Sequence, residues 1–245
     1  MIVGNIVGSN IVNLCLGLGI AFFIVPIRIR GIKTYQKFFV GLFGALLIFS
    51  GNYFGSEKLL LPWYLGIFLL VFFVLFFAFH GYDESDDVPE DIQVLNLPLG
   101  YVKLLSGAVG LSLFAKIAVG LAVSIAATLN VPEAVIGATI IAAGGSLPEV
   151  ASCISAARER LPNTVVGTIA GSQVFNLFAI LGITLLIGDV EYSSSLNVDT
   201  GFLVGATIAL LVLAAVSKTG MRSLAGCGLV GLYVCYAYYL GSLAL

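Results

Sequence analysis

Eight stretches of the chain stay apolar long enough to cross a bilayer, which takes about 20 helical residues. They lie near 6–27, 38–54, 62–80, 102–129, 132–157, 164–187, 198–216 and 223–243. The Gly and Pro residues inside them are no objection, because membrane helices tolerate both. Short polar connections separate the stretches, as a compact helix bundle requires. The longest, near 81–101, holds six of the thirteen acidic residues but lacks the alternating Asp and central Gly of an EF-hand loop, so it is expected to be a solvated linker.

Composition agrees with the pattern: 60% apolar residues, 10% charged residues and a mean hydropathy of +1.10 place the chain in a membrane. The expected fold is an all-α, polytopic bundle of about eight transmembrane helices. No nucleic-acid partner, cofactor or enzymatic activity is expected. Cys15, Cys153, Cys227 and Cys235 all fall in apolar stretches and are expected to be small buried side chains, not disulfides or zinc ligands. With alternating spans, Arg28, Arg30, Lys33, Lys37, Lys103, Arg158, Arg160, Lys218 and Arg222 share one side, and only Lys58 lies on the other. That side is expected to be cytoplasmic, with both termini outside and the acidic linker inside, in a cell or inner membrane. Lys116, inside the fourth span, is expected to snorkel or to find a partner in the bundle. Trp63, Tyr64, Tyr82 and Tyr101 fit interfacial anchors, and His80 a structural role at a span end.

One region departs from this apolar background. Residues 137–182 carry Glu149, an acid well inside an apolar span, close behind Gly144, Gly145, Ser146 and Pro148. Proline lacks the N–H that would close a helical bond and its ring clashes with the preceding turn, so a helix break is expected here, with backbone oxygens freed beside a carboxylate and a hydroxyl. Such a cluster at bilayer depth is costly and suits a dehydrated hard cation. The plainer reading is a protonated acid hydrogen-bonded within the bundle. Glu133, behind Pro132, reads as a first-turn acid favoured by the helix dipole.

A repeat supplies the second signal. VGNIVGSNIVNLCLGLGI at 3–20 aligns without a gap on VGTIAGSQVFNLFAILGI at 166–183. Each copy places a Ser and an Asn four residues apart, Ser9 with Asn13 and Ser172 with Asn176, on one helical face. Each also spaces glycines by four, Gly4 with Gly8 and Gly167 with Gly171, which would let another helix approach. From the span count the copies thread the membrane in opposite directions. Inverted repeats with broken helices meeting at the midplane are an architecture of secondary transporters.

These motifs resemble those of the sodium/calcium exchanger (cation/calcium antiporter) superfamily, in which each of two inverted repeats carries G-x-T-x-x-A-x-G-[TS]-S-x-P-E and then G-N-x-x-G-S-N-x-x-[ND]. Here the second repeat supplies both parts, Gly137 to Glu149 and Gly167 to Asn176, and the first supplies only the later part, Gly4 to Asn13. The resemblance implies the family's ten-helix plan without its first two helices. Residues 1–80 would then be the remainder of the first repeat (three helices), 81–101 the acidic cytoplasmic linker and 102–245 the second repeat (five helices). It further implies that Glu149 is a principal ligand of the transported cation, with Ser146, Ser172 and Asn176 from its own repeat, Ser9 and Asn13 from the other, and carbonyls at Gly144 and Gly145. Activity would be exchange of Ca2+ for Na+, with the lipid bilayer and the two missing helices, carried upstream or on another chain, as partners.

Three positions depart from the family pattern. The partner Glu of the first repeat has no counterpart here, Gly145 stands for Thr or Ser, and Asn176 stands where many sodium-coupled members carry Asp. The last leaves H+ open as the coupling ion. Two other readings therefore stand beside exchange of Ca2+ for Na+. One is cation/proton antiport with Glu149 titrating, and the other a non-transporting repeat half acting as a structural or regulatory subunit.

Overall fold

The computed structural model describes residues 2–29, 32–53, 58–80, 97–129, 142–193, 196–217 and 221–243. The apolar stretches form helices α1 (Ile2–Ile24), α2 (Ile32–Tyr53), α3 (Trp63–His80) and α4 (Leu97–Thr128), then α5 (Leu147–Arg158), α6 (Pro162–Ile187), α7 (Leu196–Val216) and α8 (Ser223–Leu243). A single turn, Ala142–Gly144, precedes α5. Among the described residues, five helices are long and apolar enough to cross a membrane: α1, α4, α6, α7 and α8. The described apolar parts of α2 and α3 are shorter, Gln36–Leu46 and Trp63–Ala78. Helix α4 begins earlier than expected, so 97–101 belong to it and not to the linker. Pro98 is tolerated there because the first turn needs no N–H donors. The rest of the acidic linker, Tyr82 and Glu133 lie outside the described residues.

Burial ranks the helices. The apolar window of α1 is 78% buried and that of α4 is 0% buried, so α1 forms the centre and α4 lies at the periphery. Ile6, Ile11, Leu14 and Leu18 of α1 pack in one core with Val165, Ile169, Leu177 and Leu181 of α6 and Leu203 and Leu210 of α7. Lys116 is exposed on α4. Cys15 and Cys153 are buried as expected, whereas Cys227 and Cys235 are exposed. Both lie on α8, of which only 17% is covered, so apolar sequence there meant a surface suited to lipid instead of an interior.

The two halves of the chain are interlocked. Helices α2 and α7 run antiparallel against each other and are tied at both ends. At one end Ile27 and Met221 exchange backbone hydrogen bonds of 3.1 and 2.8 Å. At the other, strands β1 (Lys58–Leu61) and β2 (Val190–Ser193) pair antiparallel, Leu59 opposite Tyr192. These strands sit in connections that read as loops, because their partners are remote in sequence. Fully buried Tyr192 fastens β2 to the start of α7: its hydroxyl donates to Asn197 Oδ1 at 3.1 Å and lies 3.2 Å from Thr200 Oγ1.

Glycines show the same exchange between halves. A Cβ on Gly66 of α3 would lie 2.7 Å from the Gly182 carbonyl of α6, and a Cβ on Gly226 of α8 would lie 2.7 Å from the Gly19 carbonyl of α1. Gly19 and Gly182 occupy one position of the sequence repeat, so these are two copies of one helix crossing. Gly66→Ala and Gly226→Ala should each force backbone apart and destabilise the fold by about 1–3 kcal/mol, read as a lower melting temperature in detergent. Equal melting of both variants and wild type would refute the crossing. The expected approach at the motif glycines is found only at Gly4, where a Cβ would meet Leu196 at 3.1 Å. At Gly8, Gly167 and Gly171 a Cβ would meet nothing within 4 Å among the described residues.

Candidate cation site

Helix α5 starts where the sequence placed a break: Gly145 and Ser146 form a turn and Pro148 falls in the first turn of the new helix. Ser146-Leu147-Pro148-Glu149 has the S-x-x-E spacing of a capping box, in which the Ser would bond the helix amides and the Glu would reach back. Neither bond is made. Ser146, buried at the N-cap, makes no side-chain cap and donates its hydroxyl to the Ser9 carbonyl at 3.3 Å. Giving up a serine cap costs about 1 kcal/mol locally, so this hydroxyl is committed across the repeats at the expense of its own helix. Glu149 is half-buried, and its Oε2 is buried without a hydrogen-bond partner among the described residues.

The two Ser/Asn pairs meet across the repeats. Asn13, 1% exposed, donates Nδ2 to Ser172 Oγ at 3.2 Å, and Ser172 donates in turn to the Ile169 carbonyl at 3.0 Å. Asn176 donates Nδ2 to Asn10 Oδ1 at 3.0 Å. Both amides thus give their nitrogens to protein. Asn13 Oδ1 is left buried with no partner among the described residues, an orphan acceptor that is expensive unless a cation fills it. Gly8 precedes Ser9 and Gly171 precedes Ser172, and a Cβ at either would touch nothing within 4 Å among the described residues. The same holds at Gly145, whereas a Cβ at Gly144 would run into Val119.

Each helix also carries a π turn at its Asn, Asn13–Leu18 in α1 and Phe175–Ile180 in α6. The sequence reading assumed plain α geometry. The widened turns, of a kind frequent at functional sites, fall within one residue of equivalent places in the repeat. The geometry joins Ser9, Asn13, Ser146, Ser172 and Asn176, with Glu149 one turn beyond Ser146 on the same helix. Sequence reasoning missed two further buried polar residues, Asn10 (0% exposed) and Gln173 (1% exposed), which occupy equivalent repeat positions. Their signal was available, since each is an amide inside an apolar helix next to a Ser already singled out.

A family profile described as "Sodium/calcium exchanger protein" matches residues 1–81 and 99–241. The chain belongs to the sodium/calcium exchanger family. Among relatives, it is 25% identical over 262 residues to the sodium/calcium exchanger MaX1 of Methanosarcina acetivorans, covering 86% of this chain and 72% of that protein. To the inner membrane protein YrbG of Escherichia coli it is 27% identical over 228 residues, covering 85% and 68%. A solved structure of the sodium-calcium exchanger NCX_Mj, soaked with 10 mM Na+ and zero Ca2+, superposes with a TM-score of 0.76 at 26% identity, covering 96% of this chain and 76% of that one. The exchanger-family chain is therefore a multi-pass membrane protein of cation/calcium exchange transport, with the exchanger fold.

Proposed function

We propose that this chain exchanges Ca2+ for Na+ by alternating access, with Glu149, Ser146, Ser172, Asn176, Ser9, Asn13 and carbonyls at Gly144 and Gly145 taking either ion in turn. The observation that carries the reading is the set of hydrogen bonds joining Asn13 to Ser172, Asn176 to Asn10 and Ser146 to Ser9 across the two repeats, with oxygens on Asn13 and Glu149 that have no partner among the described residues. A calcium ion takes six to eight oxygen ligands, and these side chains offer several of them, one being a carboxylate.

One carboxylate leaves half the charge of a divalent ion uncompensated. Helices α1, α2 and α3 pair by repeat with α6, α7 and α8, while α4 and α5 have no inverted counterpart among the described residues. A further helix pair carrying a second carboxylate, on another chain or a longer form of this one, would complete the site. The nine basic residues expected on one side support a cytoplasmic position for that side, with the termini of this chain outside.

In proteoliposomes, Ca2+ uptake should follow an imposed Na+ gradient and persist when the pH gradient is collapsed. Uptake that follows the pH gradient instead would assign the chain to cation/proton antiport. No Ca2+ flux under either gradient would favour a non-transporting repeat half.

A further inference from the structure

Asn176 presents its oxygen to a cation only if its amide nitrogen is held elsewhere. The holder is Asn10, fully buried in α1, whose Oδ1 accepts from Asn176 Nδ2 at 3.0 Å. Asn10 Nδ2 has no partner among the described residues. Against Asn10 as it stands, turning the Asn176 amide over would set its oxygen on Asn10 Oδ1 with no hydrogen between them, and would aim the Asn176 –NH2 group at the site, where it repels a cation. The equivalent pairing is absent in the other half. Gln173, the repeat counterpart of Asn10, leaves its Oε1 unpartnered near Gly41, and Asn13 is held by Ser172 instead.

We infer that Asn10 is a positioning residue that fixes the sense of the Asn176 amide and so makes a neutral side chain serve as an oxygen ligand where a carboxylate would need no such help. This rests on the cation-site reading above. A carboxylate at 176 has two equivalent oxygens, and Asn10 can turn its free Nδ2 toward it.

The test is equilibrium binding of 45Ca2+ to the purified full chain in detergent. Asn10→Leu, of similar size but without an acceptor, should weaken binding about tenfold or more in the native background and less than about threefold in Asn176→Asp. Asn10→Asp, which keeps the acceptor, should bind at least as well as wild type, and Asn10→Ala serves in place of Asn10→Leu if that variant does not fold. A loss of equal size in both backgrounds would mean that Asn10 only packs, and binding unchanged by removal of the acceptor would mean that it orients nothing; either overturns the inference. If the wild-type chain itself bound no Ca2+, the cation-site reading would fall, and the inference with it.

Discussion

Glu149→Gln is expected to abolish Ca2+ exchange while leaving a folded protein whose melting temperature, in cation-free buffer, is at or above that of wild type. The substitution keeps size and shape but removes the one formal charge in the set. In the native chain Glu149 Oε2 is buried with no hydrogen-bond partner among the described residues. An unsatisfied buried polar group costs about 1–3 kcal/mol, more when charged, and neutralising it relieves part of that cost. The stabilisation that a bound ion confers should vanish at the same time: a ligand at a hundred times its Kd adds about 2.7 kcal/mol to the folded state. Two readouts thus move in opposite directions, flux to background and apo stability upward. A capping or packing role for Glu149 would make stability fall with little change in flux. Flux within twofold of wild type would remove Glu149 from the site.

What the sequence made legible and what it hid follow from the range of the interactions. The break at Gly145 and Ser146 could be read locally, because Pro and Gly act on their own turn. The repeat could be read because it is a comparison of the chain with itself. The fate of Ser146 could not: S-x-x-E spacing describes a capping box, and only the Ser9 carbonyl, 137 residues away, shows that the hydroxyl is committed elsewhere. The strands were hidden for the same reason, since Leu59 has no strand signal apart from Tyr192. Apolar runs told which residues avoid water but not whether they meet lipid or protein, which is how Cys227 and Cys235 were misplaced. The motif glycines mislead in a related way, because a missing side chain can admit a helix, as at Gly4, or meet nothing among the described residues, as at Gly8 and Gly171.

Asn176→Asp should tighten Ca2+ binding by one to two orders of magnitude and make its displacement by Na+ steeper. At an effective dielectric of about 20, a new carboxylate 4 Å from the ion gains roughly 4 kcal/mol against Na+ and roughly twice that against Ca2+. Burying the carboxylate costs several kcal/mol, and that cost is the same whichever ion arrives. The difference therefore survives where the absolute gain does not, and it favours the divalent ion. With two negative charges in place of one, more than one Na+ is needed to balance the set before Ca2+ can leave, which raises the order of the Na+ dependence. Asn10 can accommodate the change by turning its unpartnered Nδ2 toward Asp. The measurement is a Ca2+ isotherm at several Na+ concentrations, comparing both affinity and the slope of the displacement curve with wild type. An unchanged slope together with unchanged Ca2+ affinity would show that the side chain at 176 does not face the ion, and the cross-repeat amide pair would then be a packing contact.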